Sequence, residues 1–325
     1  MYVWHEKKIN MINYSIIIPH YNIPDLLARC LRSIPERDDV QVIVVDDNSP
    51  GQESYMKTIP ELSRNNVEFY PTKDGLGAGH VRNVGLSHAK GKWLAFSDSD
   101  DFFVDDFNEI LDEYVNDSHD IIYFNIKSCD CYDTTKLLTE NRDGLFAFCQ
   151  EKNDYSAFRV CYTEPWGKII RHSLIKDNGI EFQETKAHND LLFSIKAGVL
   201  AKSILAVDRP LYWYVFREGS LGHQKGMEPE IKLQDRIRAW HSTQQFLESQ
   251  GIKVKVYLPV MPCLKVFAHD KKLYFRLLKF MKNNGINYMR VVFETIKYSV
   301  KRVFTGEKVI DVKNYIFFPE PTHIN

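Results

Sequence analysis

The sequence has little of what marks membrane, secreted or disordered proteins. No stretch reaches the about 18 consecutive apolar residues of a membrane-spanning helix, and residues 1–13 contain no apolar segment of the kind found in secretion signals. There are only 16 glycines and 13 prolines among 325 residues, which excludes collagen-like and low-complexity chains. An excess of charge is also missing, because 42 basic residues face 43 acidic ones. We expect a globular cytoplasmic protein with an N-terminal extension at 1–13.

Cysteines are few and widely spaced. The chain has six: Cys30, Cys129, Cys131, Cys149, Cys161 and Cys263. Only Cys129 and Cys131 are close together, and a single C-x-C is too isolated for a zinc site. We expect all six to be reduced thiols, as in most cytoplasmic proteins.

What the first half does contain is an alternation of apolar runs and amphipathic segments. The runs at 14–18 and 40–45 are apolar or β-branched apart from Ser15 and Gln41, which is typical of parallel strands buried on both faces. Further strands are predicted at 67–70, 93–96 and 120–125, with helices at 24–33, 53–64, 77–90 and 104–116. This order predicts an α/β fold with an open, mostly parallel, twisted sheet flanked by helices.

The pattern is weaker after residue 126. Residues 127–164 have no clear period and allow no assignment, whereas 166–170 and 211–216 look like strands and 188–197 like a helix. Beyond about Gly226 the chain becomes helical and rich in Lys, Arg and aromatic residues. We therefore predict an α/β domain at 14–225, with halves at 14–126 and 127–225, followed by a basic, mainly helical region at 226–325.

Aspartates follow two of the predicted strands. Asp46 and Asp47 end one strand, and Asp98, Asp100 and Asp101 come directly after another. The carboxyl ends of parallel strands share one edge of a sheet, where ligands bind in open α/β folds. Crowded carboxylates repel one another unless a cation lies between them, so Mg²⁺ or Mn²⁺ with a substrate diphosphate would suit this edge. The alternative is that these residues only cap helices and form turns.

A glycine-rich segment precedes the predicted helix at 77–90. GLGAG at 75–79 is not the dinucleotide fingerprint G-x-G-x-x-G, because His80 stands where the third glycine would be. A glycine-rich turn leading to Arg82 nevertheless suits a site beside a nucleotide diphosphate. The alternative is an ordinary surface or helix-packing arginine.

Taken in order, the motifs resemble those of the family 2 glycosyltransferases, which have the A-type (GT-A) fold. The matching segments are SIIIPHYN (15–22), VVDDNS (44–49), RNVG (82–85), AKG (89–91), FSDSDD (96–101), WGK (166–168), HNDLLF (188–193) and GS (219–220). The resemblance implies a nucleotide-binding half followed by an acceptor half. It also implies transfer of a sugar from a nucleotide-diphosphate donor, with a UDP-sugar favoured, to a hydroxyl acceptor, with inversion at the anomeric carbon.

The resemblance also assigns roles by position. Asp98 and Asp100 match the D-x-D that holds Mn²⁺ or Mg²⁺, and Asp98 is also expected to contact the donor. Asp190 matches the general base; Asn189 replaces the acid that commonly precedes it, and Glu184 is the nearest substitute. The remaining donor-binding residues are Pro19, Tyr21 and Asp47 in the base and ribose pocket and Asp74 and Arg82 at its rim.

Four residues are further candidates for the substrate pocket. Trp166 offers an aromatic face for a sugar, with a core tryptophan as the alternative, and Lys168 is close to it in sequence. Arg217 and His223 belong to a glycine-bearing segment that is expected to close over the donor. A solvated loop histidine is the alternative for His223.

The C-terminal region is strongly basic. Twelve Lys and Arg face two acidic residues in 251–305, a net charge of +10. One apolar stripe runs along the same region at helical spacing, formed by Met289, Val292, Phe293, Ile296, Val300, Val303 and Phe304. Such a helix either lies on an anionic membrane or packs on the α/β domain.

The predicted function is therefore a metal-dependent glycosyltransferase acting at the cytoplasmic face of the membrane. Its expected acceptor is a saccharide or lipid-linked saccharide of cell-surface polysaccharide or glycolipid synthesis. No nucleic-acid partner is expected, since the sequence contains no recognition module. Two alternatives stay open: a non-catalytic sugar-nucleotide-binding or scaffold protein of the same fold, and a retaining transferase.

Overall fold

The computed structural model describes residues 11–138, 142–217, 230–252 and 260–305. The chain forms two compact units, which are described separately. The first unit comprises Met1–Phe146, Pro165–Glu181 and Leu200–Arg217, and the second comprises Ala147–Glu164, Phe182–Val199 and Glu218–Asn325.

The first unit is built on an eight-stranded mixed sheet. Its strands are β1 (Tyr14–His20), β2 (Val40–Asp46), β3 (Val67–Pro71), β4 (Trp93–Phe96), β5 (Phe102–Phe103), β6 (Ile121–Asp130), β7 (Lys168–Arg171) and β8 (Ile204–Phe216). Their order is β3-β2-β1-β4-β7-β6-β8-β5. The first four strands are mutually parallel, β6 and β8 are also parallel, and β7 and β5 pair with their neighbours in the antiparallel sense. The α/β fold with a largely parallel sheet is thus confirmed.

Two mostly apolar strands form the centre of the parallel half. Every residue of β1 and β2 is buried, which explains why neither strand alternates polar and apolar residues. The two strands run in register from the Tyr14–Val40 pair to the His20–Asp46 pair. As a result, the loops after β1 and β2 leave the sheet side by side.

Helices cover the sheet, and one of them differs from its prediction. The helices of this unit are α1 (Pro24–Arg32), α2 (Tyr55–Thr58), α3 (Ala78–His88), α4 (Phe107–Tyr114), α5 (Asp143–Lys152, which continues into the second unit) and α7 (His172–Asp177). The single helix expected at 53–64 is wrong: Gln52–Ser54 and Pro60–Ser63 are 3₁₀ turns on either side of α2. Pro60 has no N–H to continue the helix, and Ile59 before it is extended, with φ −119° and ψ 92°.

The unassigned part of the sequence contains regular structure. β6 runs on to Asp130, beyond the end expected at residue 125, and pairs with β8 through register shifts around Asn125. β8 likewise begins earlier than expected, at Ile204. The helices α5 and α6 (Phe158–Cys161) lie in the stretch at 127–164 that the pattern left open.

The second unit is helical. In addition to α6 it contains α8 (Leu191–Leu200), α9 (Glu230–Ser249), α10 (Val260–His269), α11 (Lys271–Asn283) and α12 (Tyr288–Thr305). One apolar cluster joins α9 to α12 and includes Leu233, Leu264, Leu277 and Val291. Among the helices described, none is both long and apolar enough to cross a bilayer. All six cysteines are free thiols, as expected.

Candidate active site

The two aspartate clusters lie at the same edge of the sheet. β2 and β4 flank β1, and all three are parallel, so their carboxyl ends point the same way. Asp47 N donates to His20 O at 2.8 Å, and Ser97 N donates to Ile17 O at 3.1 Å, so the loops after β2 and β4 both begin with a hydrogen bond to β1. The predicted gathering of the aspartates at one edge is confirmed.

A buried hydrogen-bond network fixes the loops after β1 and β2. The fully buried Asp46 carboxylate accepts from His20 Nδ1, from Ser49 N and from Ser49 Oγ, each at 2.7 Å. His20 Nε2 accepts from Ile23 N at 3.2 Å, which leaves the ring proton on Nδ1 for Asp46. Burial alone would raise the pKa of Asp46, but these hydrogen bonds outweigh burial and lower it.

The expected base and ribose residues surround this network. Pro19 is buried at the end of β1, Tyr21 is exposed beside it, and Asp47 is half-buried. The two oxygens of Asp47 accept from Gly77 N at 2.9 and 3.1 Å. Asp74 is exposed in the loop that leads to Gly77.

The glycine-rich segment brings α3 to the site. Gly77 has φ 99° and ψ 171° and Gly75 has φ 58°, a conformation that glycine adopts without steric cost. From α3 the buried Arg82 reaches Asp98, with 2.5 Å between Nη2 and Oδ1. The start of α3 therefore contacts both aspartate loops, Asp47 through Gly77 and Asp98 through Arg82.

Hydrogen bonds connect the turn at 98–101 to β8 and to Arg217, the residue that follows β8. Asp100 Oδ2 lies 3.2 Å from Arg217 Nη2, and Asp101 accepts from Tyr212 Oη and from Val215 N, each at 2.7 Å. Burial, followed by the negative charge of Asp98, raises the pKa of Asp100, although Arg217 opposes the shift. Burial, with Asp100 and Asp98, raises the pKa of Asp101 well above its usual value. These carboxylates repel one another.

The donor set fits a hard divalent cation that arrives with a diphosphate. Within the described residues, no three His, Cys, Asp or Glu side chains form a complete metal cage. Mg²⁺ commonly binds through only one or two carboxylates and completes its shell with water and substrate phosphate oxygens. Asp98 and Asp100 supply that number of oxygen ligands, and their crowding favours a positive charge between them.

Two of the expected pocket residues are part of the core. Trp166 is 7% exposed and stacks on Tyr212, with 5.3 Å between ring centroids. Lys168 is 1% exposed, and its Nζ lies 5.2 Å from the centroid of the Tyr123 ring. The stacking on Tyr212 fits the core alternative given for Trp166, and the place of both residues in a substrate pocket stays a prediction. His223 lies outside the described residues.

Asp190 belongs to the second unit, immediately before α8. Its carbonyl accepts from Ser194 N at 2.9 Å, which begins the helix. Asn189 is buried, and its carbonyl accepts from Gln183 N at 3.1 Å, so the loop closes on itself. Glu184, the substitute base, is exposed in the same loop.

Helix α9 holds this loop. Asp235 accepts from Lys186 N at 3.0 Å, and Arg236 Nε donates to His188 Nε2 at 2.8 Å. Burial, then the charges of Arg236 and Lys232, lower the pKa of His188 to about 4, so the ring is neutral and accepts this hydrogen bond. His188 has φ 54°, a left-handed conformation that is uncommon outside glycine.

Sequence reasoning missed several residues that shape these sites. Tyr212 and the pair of Asp235 and Arg236 carried no motif of their own, and Ser49 was noted only as the end of the 44–49 segment. The His20–Asp46 pair was detectable, because the two residues sit at matching ends of adjacent predicted strands.

Comparisons with known proteins place these features in one family. Glycosyl transferase family 2 matches residues 15–179, just over half of the chain. The poly(ribitol-phosphate) β-N-acetylglucosaminyltransferase TarS of Staphylococcus aureus is 29% identical over 231 residues, covering 68% of this chain and 38% of TarS. The poly(ribitol-phosphate) β-glucosyltransferase of Bacillus spizizenii is 29% identical over 218 residues, covering 63% of this chain and 32% of that protein.

A solved structure shows the same fold. The crystal structure of residues 1–349 of Staphylococcus aureus TarS with UDP-GlcNAc superposes with a TM-score of 0.57 at 22% identity, covering 81% of this chain and 73% of that one. The fold is therefore that of TarS, while the chain spans well under half of the full-length relatives named above. By its sequence match and its fold, the chain belongs to glycosyl transferase family 2.

Proposed function

We propose that this chain transfers a sugar from a nucleoside-diphosphate donor, a UDP-sugar, to a hydroxyl group of an acceptor. The observation that carries the proposal is the convergence of Asp47, Arg82, Asp98 and Asp100 at the carboxyl edge of the parallel strands. That edge is where open α/β folds bind nucleotides. The UDP-GlcNAc bound in the TarS structure supports a uridine nucleotide.

The departing diphosphate gains negative charge as its bond to the sugar breaks. Asp98 and Asp100 would hold a Mn²⁺ or Mg²⁺ ion, which when bound stabilises that charge. Arg82 is buried against Asp98 and adds a fixed positive charge to the same edge. The Asp47 loop, held by Gly77 and by the His20–Asp46–Ser49 network, would orient the nucleoside.

Asp190 is the general base of the proposed reaction. The carboxylate removes the proton of the acceptor hydroxyl. The acceptor oxygen attacks the sugar from the side opposite the departing diphosphate, so the configuration at the anomeric carbon is inverted. Asp190 is half-buried at the start of α8, and the loop before it is anchored to α9. Glu184 is the second candidate, and the anomeric configuration of the product distinguishes inversion from retention.

The proposed acceptor is a saccharide or lipid-linked saccharide of a cell-surface polymer or glycolipid. The names of TarS and of the Bacillus spizizenii enzyme give poly(ribitol phosphate) as their acceptor, which supports an acceptor of related chemistry. A hydroxyl of an alditol phosphate chain is therefore the first acceptor to test.

We also propose that α12 docks this protein on an anionic membrane at its cytoplasmic face. Met289, Phe293 and Ile296 are 59%, 63% and 58% exposed, although they share one stripe of the helix. Arg290 and Lys297 are exposed on the same helix. Exposed apolar side chains flanked by cations are typical of helices that lie in the headgroup region of a bilayer.

Turnover of nucleotide sugars tests the proposal. The protein is incubated with UDP-, GDP- and TDP-sugars, with Mn²⁺ or with EDTA, and release of nucleoside diphosphate is measured with and without poly(ribitol phosphate). We expect release from a UDP-sugar that requires the metal and rises with acceptor. Binding of a UDP-sugar with no release of UDP under any of these conditions would instead identify the non-catalytic binding protein.

A further inference from the structure

The last part of β8 and Arg217, the residue that follows the strand, contact the 98–101 turn at three points. Tyr212 Oη accepts from Asp98 N at 2.9 Å, Val215 N donates to Asp101 Oδ1 at 2.7 Å, and Arg217 pairs with Asp100. Strand β8 is itself held in the sheet by β6 on one side and β5 on the other. The turn that carries Asp98 and Asp100 therefore rests on a strand more than 100 residues away in sequence.

The Tyr212 hydroxyl has both of its main hydrogen-bonding functions engaged at this turn. It donates to Asp101 Oδ2 at 2.7 Å while accepting from Asp98 N. The Tyr212 side chain is fully buried, with its ring stacked on Trp166 and edge-on to Phe103 at a centroid distance of 5.6 Å. Because packing fixes the ring, the hydroxyl position is fixed, and with it the backbone of Asp98.

Asp101 differs from the other two acids of the motif. It is 1% exposed, and both of its oxygens accept hydrogen bonds from β8. Asp98 and Asp100, by contrast, are partly exposed and pair with arginine side chains. Asp101 faces the interior, so it acts on the site through the shape of the turn.

From these contacts we infer that Tyr212 and Asp101 are positioning residues, which orient Asp98 and Asp100 toward the cation and the donor diphosphate. The inference rests on the proposed donor site. It adds to that proposal a specific cause of the site's geometry: one buried tyrosine hydroxyl shared between the main chain of Asp98 and the side chain of Asp101.

Tyr212→Phe tests this, since it removes the hydroxyl and keeps the packed ring. The matched control is Tyr14→Phe: Tyr14 is also fully buried, and its hydroxyl donates one hydrogen bond, to Leu111 O at 2.7 Å, at the amino end of β1. Calorimetry measures the affinity of the full chain for UDP in the presence of Mn²⁺, thermal unfolding gives the stability of each variant, and donor hydrolysis gives kcat and KM.

We expect Tyr212→Phe to weaken the affinity for UDP with Mn²⁺ by on the order of tenfold and to raise KM for the donor, because a misaligned turn weakens ligand contacts. Tyr14→Phe should lower the melting temperature comparably and leave the affinity within about twofold of wild type. A purely structural role for Tyr212 predicts the same pattern for both variants, and that result would overturn the inference.

Asp101→Asn provides the second variant and covers the case in which Tyr212→Phe fails to fold. It keeps the shape of the side chain and removes its charge, and it should weaken UDP affinity in the same direction. In the double variant the two effects should not add, because both disturb one hydrogen bond. If Asp101→Asn and Tyr212→Phe both bind UDP as tightly as the wild type does, the inference is overturned and the proposed donor site still stands. If the wild-type protein itself binds no UDP, the proposed donor site is overturned as well.

Discussion

The side chains of the proposed active site are each held by a specific partner. Asp47 is held by Gly77 N, Asp98 by Arg82 and Asp100 by Arg217. In the proposed complex, a cation bound with a diphosphate would have to compete with these arginines for the carboxylates. Burial and the negative charge of Asp98 raise the pKa of Asp100, and the positive charge of Arg217 opposes that rise.

Asp190→Asn should separate donor binding from turnover. The amide keeps the shape of the side chain but cannot accept the acceptor proton, so kcat should fall by roughly 10²- to 10⁴-fold while donor affinity changes little. The measurement is kcat and KM for donor and acceptor, together with UDP affinity by calorimetry.

Glu184→Gln is the control for that prediction. It removes the other candidate carboxylate in the same loop and should leave kcat near the wild-type value. If Asp190→Asn turns over normally and Glu184→Gln does not, the general base is Glu184.

At the scale of elements, the loop at 183–190 depends on α9. Its contacts with Asp235 and Arg236 hold a neutral His188 in a left-handed conformation. His188, two residues before the proposed base, is therefore held by a helix beyond residue 226, in the region that the sequence pattern separates from the α/β domain.

His188 makes the stability of the folded protein depend on pH, and the lowered pKa of His188 sets the direction of that dependence. Its pKa is lowered from 6.5 to about 4 in the folded protein, so the unfolded chain binds the proton more readily. The contribution of His188 to stability is present above pH 6.5 and is lost progressively as the pH falls toward 4.

The comparison of wild type with His188→Gln isolates this effect. Glutamine can still accept from Arg236 but does not titrate, so wild type should lose more stability than the variant between pH 7.5 and pH 5. Urea unfolding midpoints at the two pH values measure it. The same pH dependence in both proteins would show that His188 is not held neutral.

The exposed stripe of α12 predicts binding to anionic vesicles. Phe293→Ser combined with Ile296→Ser should weaken sedimentation with phosphatidylglycerol vesicles by tenfold or more, because two large apolar side chains are no longer buried in lipid. Raised salt should weaken binding by wild type as well.

Leu137→Ser is the matched control, since Leu137 is also an exposed apolar residue, 67% exposed, but belongs to the first unit. It should bind as wild type does. Equal binding of all three proteins, or no preference of wild type for anionic over phosphatidylcholine vesicles, would refute membrane docking by α12.

At the scale of the whole molecule, features set by residues close together in the sequence were predictable, whereas features set by contacts between distant residues were not. β1 and β2 were predictable because each is an almost continuously apolar run, and the break at Pro60 follows from a local rule that the helical pattern concealed. The extension of β6 was not predictable, because its polar residues such as Lys127 and Asp130 are placed by pairing with β8. The contact of Tyr212 with Asp101 joins residues 111 positions apart and leaves no local signal.

The same distinction between local and long-range interactions applies to the residues of the site. The donor-side aspartates were predictable because strand ends in a parallel sheet share an edge, whereas the burial of Trp166 and Lys168 depends on β8 and on Tyr123. Short motifs of acids indicate where a ligand is expected to bind. The residues that orient those acids come from distant strands and helices.

The most direct test of the central claim is calorimetric titration of the full chain with UDP, in Mn²⁺ and in EDTA, for wild type and for Asp100→Asn. We predict that wild type binds UDP at least tenfold more tightly with Mn²⁺ than with EDTA, and that Asp100→Asn loses most of this difference while it keeps its wild-type melting temperature within a few degrees. Equal UDP affinity with and without the metal in wild type, or an unchanged metal effect in Asp100→Asn, would contradict the account.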